Sequence, residues 1–343
     1  MKQALTAIIG NEALRTRFGE DARLGRFPHA CILEGAKGTG KQTIAKMTAA
    51  ALVCERKNDA DTPIPCLTCR NCRKILEGKF PDLIVINRED KATLGIDAIR
   101  FLKEDVHIVP NDSDAKIYVI EDADLMTPQA QNAFLLTLEE PPSYVHFFLL
   151  CEHAELLLET IRSRAPIFRT EPLSSEQIDN YLCEKDSRAA EMKRLSPSEY
   201  ADLLSASGAG IGQALSYLEP KVWAPIRARR ALVRELITAA IDREGAKNIL
   251  TLLFKLPQKR DPLEDYLLSA ADAVRDLMLL KKSDLSPLSF YSNRAEASEL
   301  SDRASLLFLD QLLRAILQAI EDNHKNANIR LCLLHLATSA ELI

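Results

Sequence analysis

The sequence lacks any apolar run long enough to span a bilayer, and its first residues, MKQALTAIIGNEALR, lack the apolar core of a signal peptide. These absences predict a cytoplasmic protein that does not insert into a membrane. The sequence also lacks an excess of basic residues, because its formal net charge is −5 at pH 7. No global positive field therefore attracts the chain to nucleic acid, and a contact with DNA would need a local basic patch.

Internal repeats and low-complexity tracts are absent as well. The chain has 343 residues, enough for two or three domains, and its 47% hydrophobic and 27% charged residues are ordinary for a globular protein. In a cytoplasmic protein the eight cysteines are expected to be reduced. They are therefore considered as metal ligands or core residues before disulfides.

Strand-like apolar runs alternate with helical patterns in the first half of the chain. The five runs are almost continuously apolar, as expected of parallel strands that are covered on both faces: ACILEG, DLIVIN, KIYVIED, VHFFLLC and APIFRT. Helical patterns lie between them, and one of these, TPQAQNAFLLTLEE, ends at Pro141 and Pro142. This alternation predicts an α/β domain with a parallel five-stranded sheet.

The strand signals stop after Thr170, and the remaining sequence has helical patterns only. From Pro220 onward, apolar residues recur at the 3.6-residue spacing of amphipathic helices. We therefore predict an α/β domain over residues 1–171, a small helical domain over 172–219 and a larger helical domain over 220–343.

The stretch GAKGTGKQT follows the first apolar run and precedes a helical pattern, which is the context that a phosphate-binding P-loop requires. Its glycines would let backbone N–H groups turn inward around a phosphate at Gly35, Gly38 and Gly40. Lys41 would reach the outer phosphates of a nucleotide. The alternative is a glycine-rich turn without a ligand.

The residue after this lysine departs from the pattern. A Ser or Thr hydroxyl normally binds Mg²⁺ at this position, and here the residue is Gln42, whose longer amide is a poor replacement in a tight octahedral shell. Thr43 cannot substitute, because one helical residue rotates the side chain by about 100°. We therefore expect weak or slow nucleotide chemistry in this chain even where ATP and Mg²⁺ bind.

The run KIYVIEDADLMT ends in two acids, where P-loop ATPases usually carry the order Asp-Glu. Here the order is reversed as Glu121-Asp122, so each carboxylate is displaced by about one CH₂ from its working position. The alternative is that both acids end a strand and cap the next helix. We expect each account to hold in part.

Four of the cysteines lie close together in CERKNDADTPIPCLTCRNC. Their spacing suits a tetrahedral, closed and therefore structural Zn²⁺ site, and the polar loop between them would take its folding energy from the metal, with Cys54, Cys66, Cys69 and Cys72 as ligands. An iron–sulfur cluster and four unpaired structural cysteines are the alternatives. The other four cysteines are interpreted as core residues: Cys31, Cys151, Cys183 and Cys332.

Ser163 and Arg164 precede the last apolar run. An arginine at the edge of an α/β ATPase domain can project into a neighbouring nucleotide site and neutralise charge on the γ-phosphate. An exposed arginine is more often a solvated surface residue.

Four stretches occur in a fixed order: RFPHACILEGAKGTGK, the four-cysteine insertion, EDADLMTPQAQNAFLLTLEEPP and TIRSR. Together they resemble the clamp-loader branch of the AAA+ ATPases, and within it the delta-prime type of subunit of bacterial DNA polymerase III. The resemblance covers the whole chain. It is strong to about Leu215, and beyond that it rests on domain order and a final NANIRLCLLHL helix.

The resemblance implies a subunit of a five-subunit arc that opens a ring-shaped sliding clamp and places it on primed DNA. It implies a P-loop domain, a helical lid and a helical collar that joins the chain to tau/gamma ATPase subunits and a delta subunit in a hetero-oligomer. It further implies zinc on the matching cysteines and an arginine finger, Arg164, that acts in trans. Subunits of the delta-prime type typically act as rigid stators, so neither ATPase nor polymerase activity is expected of this chain itself.

The tau/gamma subunits, which are the working ATPases of the same complex, are the alternative within this family. They have an intact hydroxyl and acid pair and a lid arginine that senses the γ-phosphate, whereas this chain has Gln42, Glu121-Asp122 and, at the sensor position, Gly212 or Gln213. The sequence CEHAE also replaces the expected first sensor. A more distant alternative is a zinc-dependent nucleic-acid-binding module, which the acidic net charge disfavours.

Overall fold

A computed structural model describes residues 5, 8–59, 61–89, 91–208, 210–283 and 288–339. The chain divides into two compact units, Met1–Gln177 and Ile178–Ile343. The predicted lid and collar both lie mainly in the second unit, and the division into three domains stays a prediction.

The first unit is built on a parallel sheet of five strands, which confirms the predicted fold class. The strands are β1 Ala30–Glu34, β2 Leu83–Ile86, β3 Lys116–Ile120, β4 Val145–Cys151 and β5 Ile167–Arg169, in the spatial order β2-β3-β4-β1-β5. All paired strands run parallel. Since the carboxyl ends of parallel strands lie at one edge of the sheet, the residues that follow β1, β3 and β4 are brought together there.

Helices cover both faces of this sheet. They are α1 Glu12–Arg23, α2 Lys41–Leu52, α3 Arg70–Leu76, α4 Ile96–Asp105, α5 Pro128–Glu139 and α6 Glu159–Arg162, with α7 Ser175–Lys185 crossing into the second unit. Successive side chains of β1 enter different hydrophobic clusters: Cys31 and Leu33 pack with α1 and α2, and Ala30 and Ile32 pack with α4 and α5. This alternation explains why the strands are apolar throughout.

The described residues of the second unit form helices and no strands. The helices are α8 Ser187–Leu195, α9 Pro197–Ala206, α10 Ile211–Tyr217, α11 Pro220–Ile241, α12 Ala246–Phe254, α13 Arg260–Leu280, α14 Arg294–Arg303, α15 Leu306–His324 and α16 Ile329–Ser339. One hydrophobic cluster joins α11 to α16. The apolar periodicity after Pro220 thus corresponds to the buried faces of these helices.

Polar contacts link the predicted lid to the predicted collar within this unit. The Glu199 carboxylate on α9 accepts hydrogen bonds from Trp223 Nε1 at 2.9 Å and from Arg227 at 2.6 Å, both on α11. Asp202, one turn further along α9, pairs with Arg234 at 3.3 Å. Two successive turns of α9 therefore form hydrogen bonds with α11, a 22-residue helix of the predicted collar.

Candidate functional site

The predicted P-loop joins β1 to α2. Gly38 and Gly40 have φ angles of 88° and 85°, a left-handed conformation that is costly for residues with a Cβ. Gly35 is required for a different reason, because a Cβ at this position would lie 2.0 Å from Thr170 Oγ1. Thr39 Oγ1 lies 2.7 Å from the same hydroxyl, so the loop is packed against the end of β5. The backbone shape of a phosphate cradle is retained.

Lys41 is the first residue of α2, and its ammonium group lies inside the curve of the loop. It donates hydrogen bonds to the carbonyl oxygens of Gly35 and, at 3.0 Å, of Ala36. Burial lowers the pKa of Lys41, and nearby acids, of which Glu152 has the largest effect, oppose this shift. The lysine side chain is thus folded back onto the loop, and its predicted contact with the outer phosphates stays a prediction.

Gln42 is bonded to one of the two acids at the end of β3. Its Nε2 donates a hydrogen bond to Glu121 Oε1 at 2.7 Å. Burial raises the pKa of the Glu121 carboxyl, and the bond from Gln42 partly opposes this shift. The side chain that replaces the usual hydroxyl therefore links the start of α2 to the residue that follows β3.

Asp122 points in a different direction. Its φ of 49° is left-handed, and its carboxylate accepts a hydrogen bond from Arg88 Nε at 2.8 Å. The side chain makes no cap bond to the following 3₁₀ turn, Ala123–Leu125, so the helix cap expected of this residue is not formed. An N-cap residue normally has an extended backbone, which Asp122 lacks, and its carboxylate is paired with Arg88.

Asp124 is a residue that the sequence reasoning missed. Its Oδ2 accepts hydrogen bonds from the backbone N–H groups of Glu152 and His153, both at 3.0 Å. These residues belong to the CEHAE segment that follows β4, so Asp124 connects the ends of β3 and β4. The only signal in the sequence is that a third acid follows the pair.

The Mg²⁺ ion that a P-loop fold implies does not fit this donor set. Mg²⁺ requires oxygen ligands in near-ideal octahedral geometry. Gln42 instead directs an N–H group at Glu121, and the Asp122 carboxylate is paired with a guanidinium. The predicted second-sensor residues, Gly212 and Gln213, lie on α10, where Gln213 donates a hydrogen bond to Tyr217 at 2.7 Å.

The four clustered cysteines come together between α2 and α3. The Sγ atoms of Cys54, Cys66, Cys69 and Cys72 all lie within 4.8 Å of one another. A tetrahedral metal with metal–sulfur bonds of about 2.3 Å needs sulfur–sulfur separations of about 3.8 Å, which small side-chain movements would provide. The donor set therefore fits a tetrahedral ion that prefers thiolates.

Backbone N–H groups donate hydrogen bonds to two of the cysteine sulfurs. Cys69 N donates to Cys66 Sγ at 3.3 Å, and Cys72 N donates to Cys69 Sγ at 3.5 Å. A hydrogen bond with Cys72 lowers the pKa of the Cys54 thiol to about 5, whereas the same bond raises the pKa of the Cys72 thiol and burial raises that of Cys69. Arg23 on α1 holds the connecting loop through the carbonyl oxygens of Asp59 and Thr62.

The remaining cysteines were interpreted as core residues. Cys31 and Cys151 are buried in β1 and β4, and Cys332 is buried on α16. Cys183 is half-buried, with its Sγ 3.3 Å from Asp179 Oδ1 and 3.7 Å from the Tyr200 hydroxyl. The interpretation is therefore incomplete for Cys183, because polar neighbours surround its thiol.

Arg164 lies between α6 and β5, and its side chain is 37% exposed. Its Nη2 donates to Glu139 Oε1 at 2.8 Å, and its Nη1 donates to Thr160 O at 3.0 Å and contacts Ser163 Oγ at 3.4 Å. An arginine has five N–H donors, so at least two of them stay available to a further acceptor. The guanidinium is thus oriented but not saturated.

Gln131 on α5 is buried and holds the segment that carries this arginine. Its Oε1 accepts a hydrogen bond from Leu158 N at 2.7 Å, and its Nε2 donates to Leu156 O at 3.3 Å and to Met126 O at 3.2 Å. Leu158 is the residue from which α6 begins. The position of Arg164 is therefore tied to α5 at two places, Gln131 and Glu139.

None of the helices in the described part of the chain is long and apolar enough to cross a membrane.

Residues 10–174 match the family model described as "DNA polymerase III, delta subunit". The chain is 34% identical over 180 residues to DNA polymerase III subunit gamma of Buchnera aphidicola subsp. Schizaphis graminum. The aligned region covers 52% of this chain and 48% of the relative.

The chain is also 36% identical over 161 residues to DNA polymerase III subunit delta' of Bacillus subtilis, covering 47% of each protein. A solved DNA polymerase III gamma subunit-related protein of Thermotoga maritima matches with a TM-score of 0.51 and 18% identity. That match covers 94% of this chain and 98% of the other and shows a shared fold. The chain spans between about a quarter and a half of the length of the first curated relatives.

Proposed function

We propose that this chain, which belongs to the DNA polymerase III clamp-loader family, is a delta-prime-like subunit that does not hydrolyse ATP itself. In this role it supports ATP-dependent loading of a sliding clamp onto primed DNA. Its own contribution to the chemistry is Arg164, which completes the nucleotide site of a neighbouring ATPase subunit.

One observation carries the proposal: the carboxylates that would hold Mg²⁺ and activate the attacking water are bonded to other side chains of this chain. Gln42 is bonded to Glu121 at 2.7 Å, and Asp122 is bonded to Arg88 at 2.8 Å. Phosphoryl transfer depends on placing charge around the γ-phosphate, and both carboxylates are turned to other partners. The P-loop thus retains its shape without the apparatus for cleavage.

An active tau/gamma-like ATPase is the second candidate. The retained glycines and Lys41 favour it, as does the similarity to a gamma subunit. The two candidates differ in one measurable property, ATP turnover by the purified chain alone. An active motor subunit has such turnover and a delta-prime-like subunit does not.

The proposed partners follow from the family. They are tau/gamma ATPase subunits and a delta subunit in a cytoplasmic hetero-oligomer, with the clamp and primed DNA reached through the complex. The contacts between α9 and α11 support a stator role, because they fasten the predicted lid to the predicted collar. A complex reconstituted from these components provides the assay for the role of Arg164.

The cysteine cluster is proposed to hold one structural Zn²⁺. A closed set of four thiolates without an open position suits zinc, which has no redox chemistry and accepts tetrahedral sulfur ligands. The ion would stabilise the segment between α2 and α3 and take no part in a reaction.

Glu139→Gln is expected to slow ATP hydrolysis at the neighbouring site by about two- to fivefold, the value of an exposed ion pair. The substitution removes the charge that orients Arg164 at 2.8 Å. Steady-state turnover of the reconstituted complex should show a lower kcat with the KM for ATP unchanged. Glu140→Gln is the matched control, because this neighbouring carboxylate is also exposed and makes none of the hydrogen bonds described for Arg164, so kcat should be unaltered. Equal rates for both variants would refute a positioning role for Glu139.

A further inference from the structure

We propose that the P-loop of this chain binds a nucleoside di- or triphosphate without Mg²⁺, with the Gln42 amide replacing the metal as the partner of Glu121. The inference rests on the proposed function, because a site that cleaved ATP would need the metal. It goes further by assigning a ligand to the cradle that the chain retains.

The first ground is that the phosphate-binding half of the site is intact. Gly38 and Gly40 keep the left-handed φ angles with which phosphate-binding loops turn backbone N–H groups toward an anion. The following helix, α2, has 12 residues and begins at Lys41, so its positive end adjoins the loop. The Lys41 ammonium is held by loop carbonyl oxygens, which phosphate oxygens can replace as acceptors.

The second ground is that the metal-binding half is closed by protein groups. A Gln42 N–H group faces Glu121, and an N–H group is a donor that cannot coordinate a cation. To admit Mg²⁺, Gln42 would have to turn its oxygen to the ion, and Glu121 would lose its hydrogen-bond donor. The other carboxylate, Asp122, would have to leave Arg88.

The third ground is the balance of charge. Three acids near the cradle are bonded to protein groups, namely Glu121 to Gln42, Asp122 to Arg88 and Asp124 to two backbone N–H groups, and the fourth, Glu152, is exposed to solvent. Burial also raises the pKa of the Glu121 carboxyl, which favours its neutral form. A polyphosphate would therefore bind to Lys41 and the positive end of α2, and no metal ion would be needed to offset the charge of the carboxylates.

The proposal is tested by titrating the full chain with ADP and with ATP by calorimetry, once in excess MgCl₂ and once in excess EDTA. The dissociation constant for each nucleotide is expected to differ by less than about threefold between the two buffers. Lys41→Ala should weaken binding by about tenfold or more in both.

A variant with the usual metal-binding residues should differ from the native chain in the Mg²⁺ dependence of nucleotide binding. Gln42→Thr combined with Glu121→Asp and Asp122→Glu rebuilds the usual donor set, and Mg²⁺ should then tighten nucleotide binding by about tenfold or more. If this variant does not fold, the comparison on the native chain decides alone.

Three results would overturn the proposal: Mg²⁺ tightens binding to the native chain by about tenfold, no nucleotide binds in either buffer, or Lys41→Ala binds as tightly as the native chain. A native chain that binds nothing removes this inference and leaves the role of Arg164 standing. ATP turnover by the chain alone removes the proposed function instead.

Discussion

Replacing Arg164 by alanine is expected to slow ATP hydrolysis at the adjoining subunit's site by about 10³-fold or more, the usual contribution of an arginine finger. The guanidinium supplies positive charge to the γ-phosphate as negative charge develops there, and an alanine supplies none. The folded chain itself should be little affected, since the Glu139 pair is exposed and worth at most about 1 kcal/mol. Single-turnover hydrolysis by the reconstituted complex, with clamp and primed DNA, measures the effect.

Two further variants separate the effect of the positive charge from that of the guanidinium shape and control for the loss of a nearby arginine. Arg164→Lys keeps the charge and loses the planar fork, so an intermediate rate is expected. Arg162→Ala removes an exposed arginine two residues earlier whose Nε contacts only the Leu157 carbonyl oxygen among the contacts described. It should leave the rate close to wild type. A complex with Arg164→Ala that hydrolyses ATP and loads clamps at the normal rate would show that the finger lies elsewhere.

Among the changes proposed here, loss of the metal from the cysteine cluster is expected to lower the free energy of unfolding the most. Cys72→Ser should reduce bound zinc from about one ion per chain to none, because tetrahedral zinc needs all four ligands. Structural zinc contributes about 10–16 kcal/mol of binding energy in zinc-finger peptides at pH 7, so a loss of several kcal/mol from the free energy of unfolding is expected. Metal analysis and the midpoint of thermal unfolding measure the two changes.

The same prediction states which residues should unfold first when zinc is lost. Hydrogen exchange should rise first in residues 54–76, where the loop from Cys54 leads into α3 and has few apolar residues of its own. Cys183→Ser is the control, because that thiol is half-buried and belongs to the second unit. A purified chain without metal, and with the unfolding midpoint unchanged by a strong chelator, would refute the structural-zinc assignment.

The sheet and the P-loop could be predicted because their signals are local. Each strand is a short apolar run that is buried on both faces, and the loop has its glycines and lysine at fixed spacing next to a strand and a helix. The cysteine cluster could be predicted for the same reason, since three of its four ligands lie within seven consecutive residues, 66–72.

The pairing of side chains at the ends of the strands could not be predicted. The partners Gln42 and Glu121 are 79 positions apart, and Arg88 and Asp122 are 34 positions apart. Such contacts depend on which strands are neighbours and on the left-handed turn at Asp122, and neither has a local signal. The motif shows that Gln42 is unusual, and its partner Glu121 is visible only in the folded chain.

The division of roles between Arg164 and the P-loop is tested most directly by ATP turnover of the purified chain alone, measured beside its Lys41→Ala variant. The account predicts equal, background-level phosphate release from both proteins, because the carboxylates that would hold and activate the reactants are bonded to Gln42 and Arg88. Turnover by the native chain that Lys41→Ala abolishes would contradict the account and identify the chain as an active ATPase subunit.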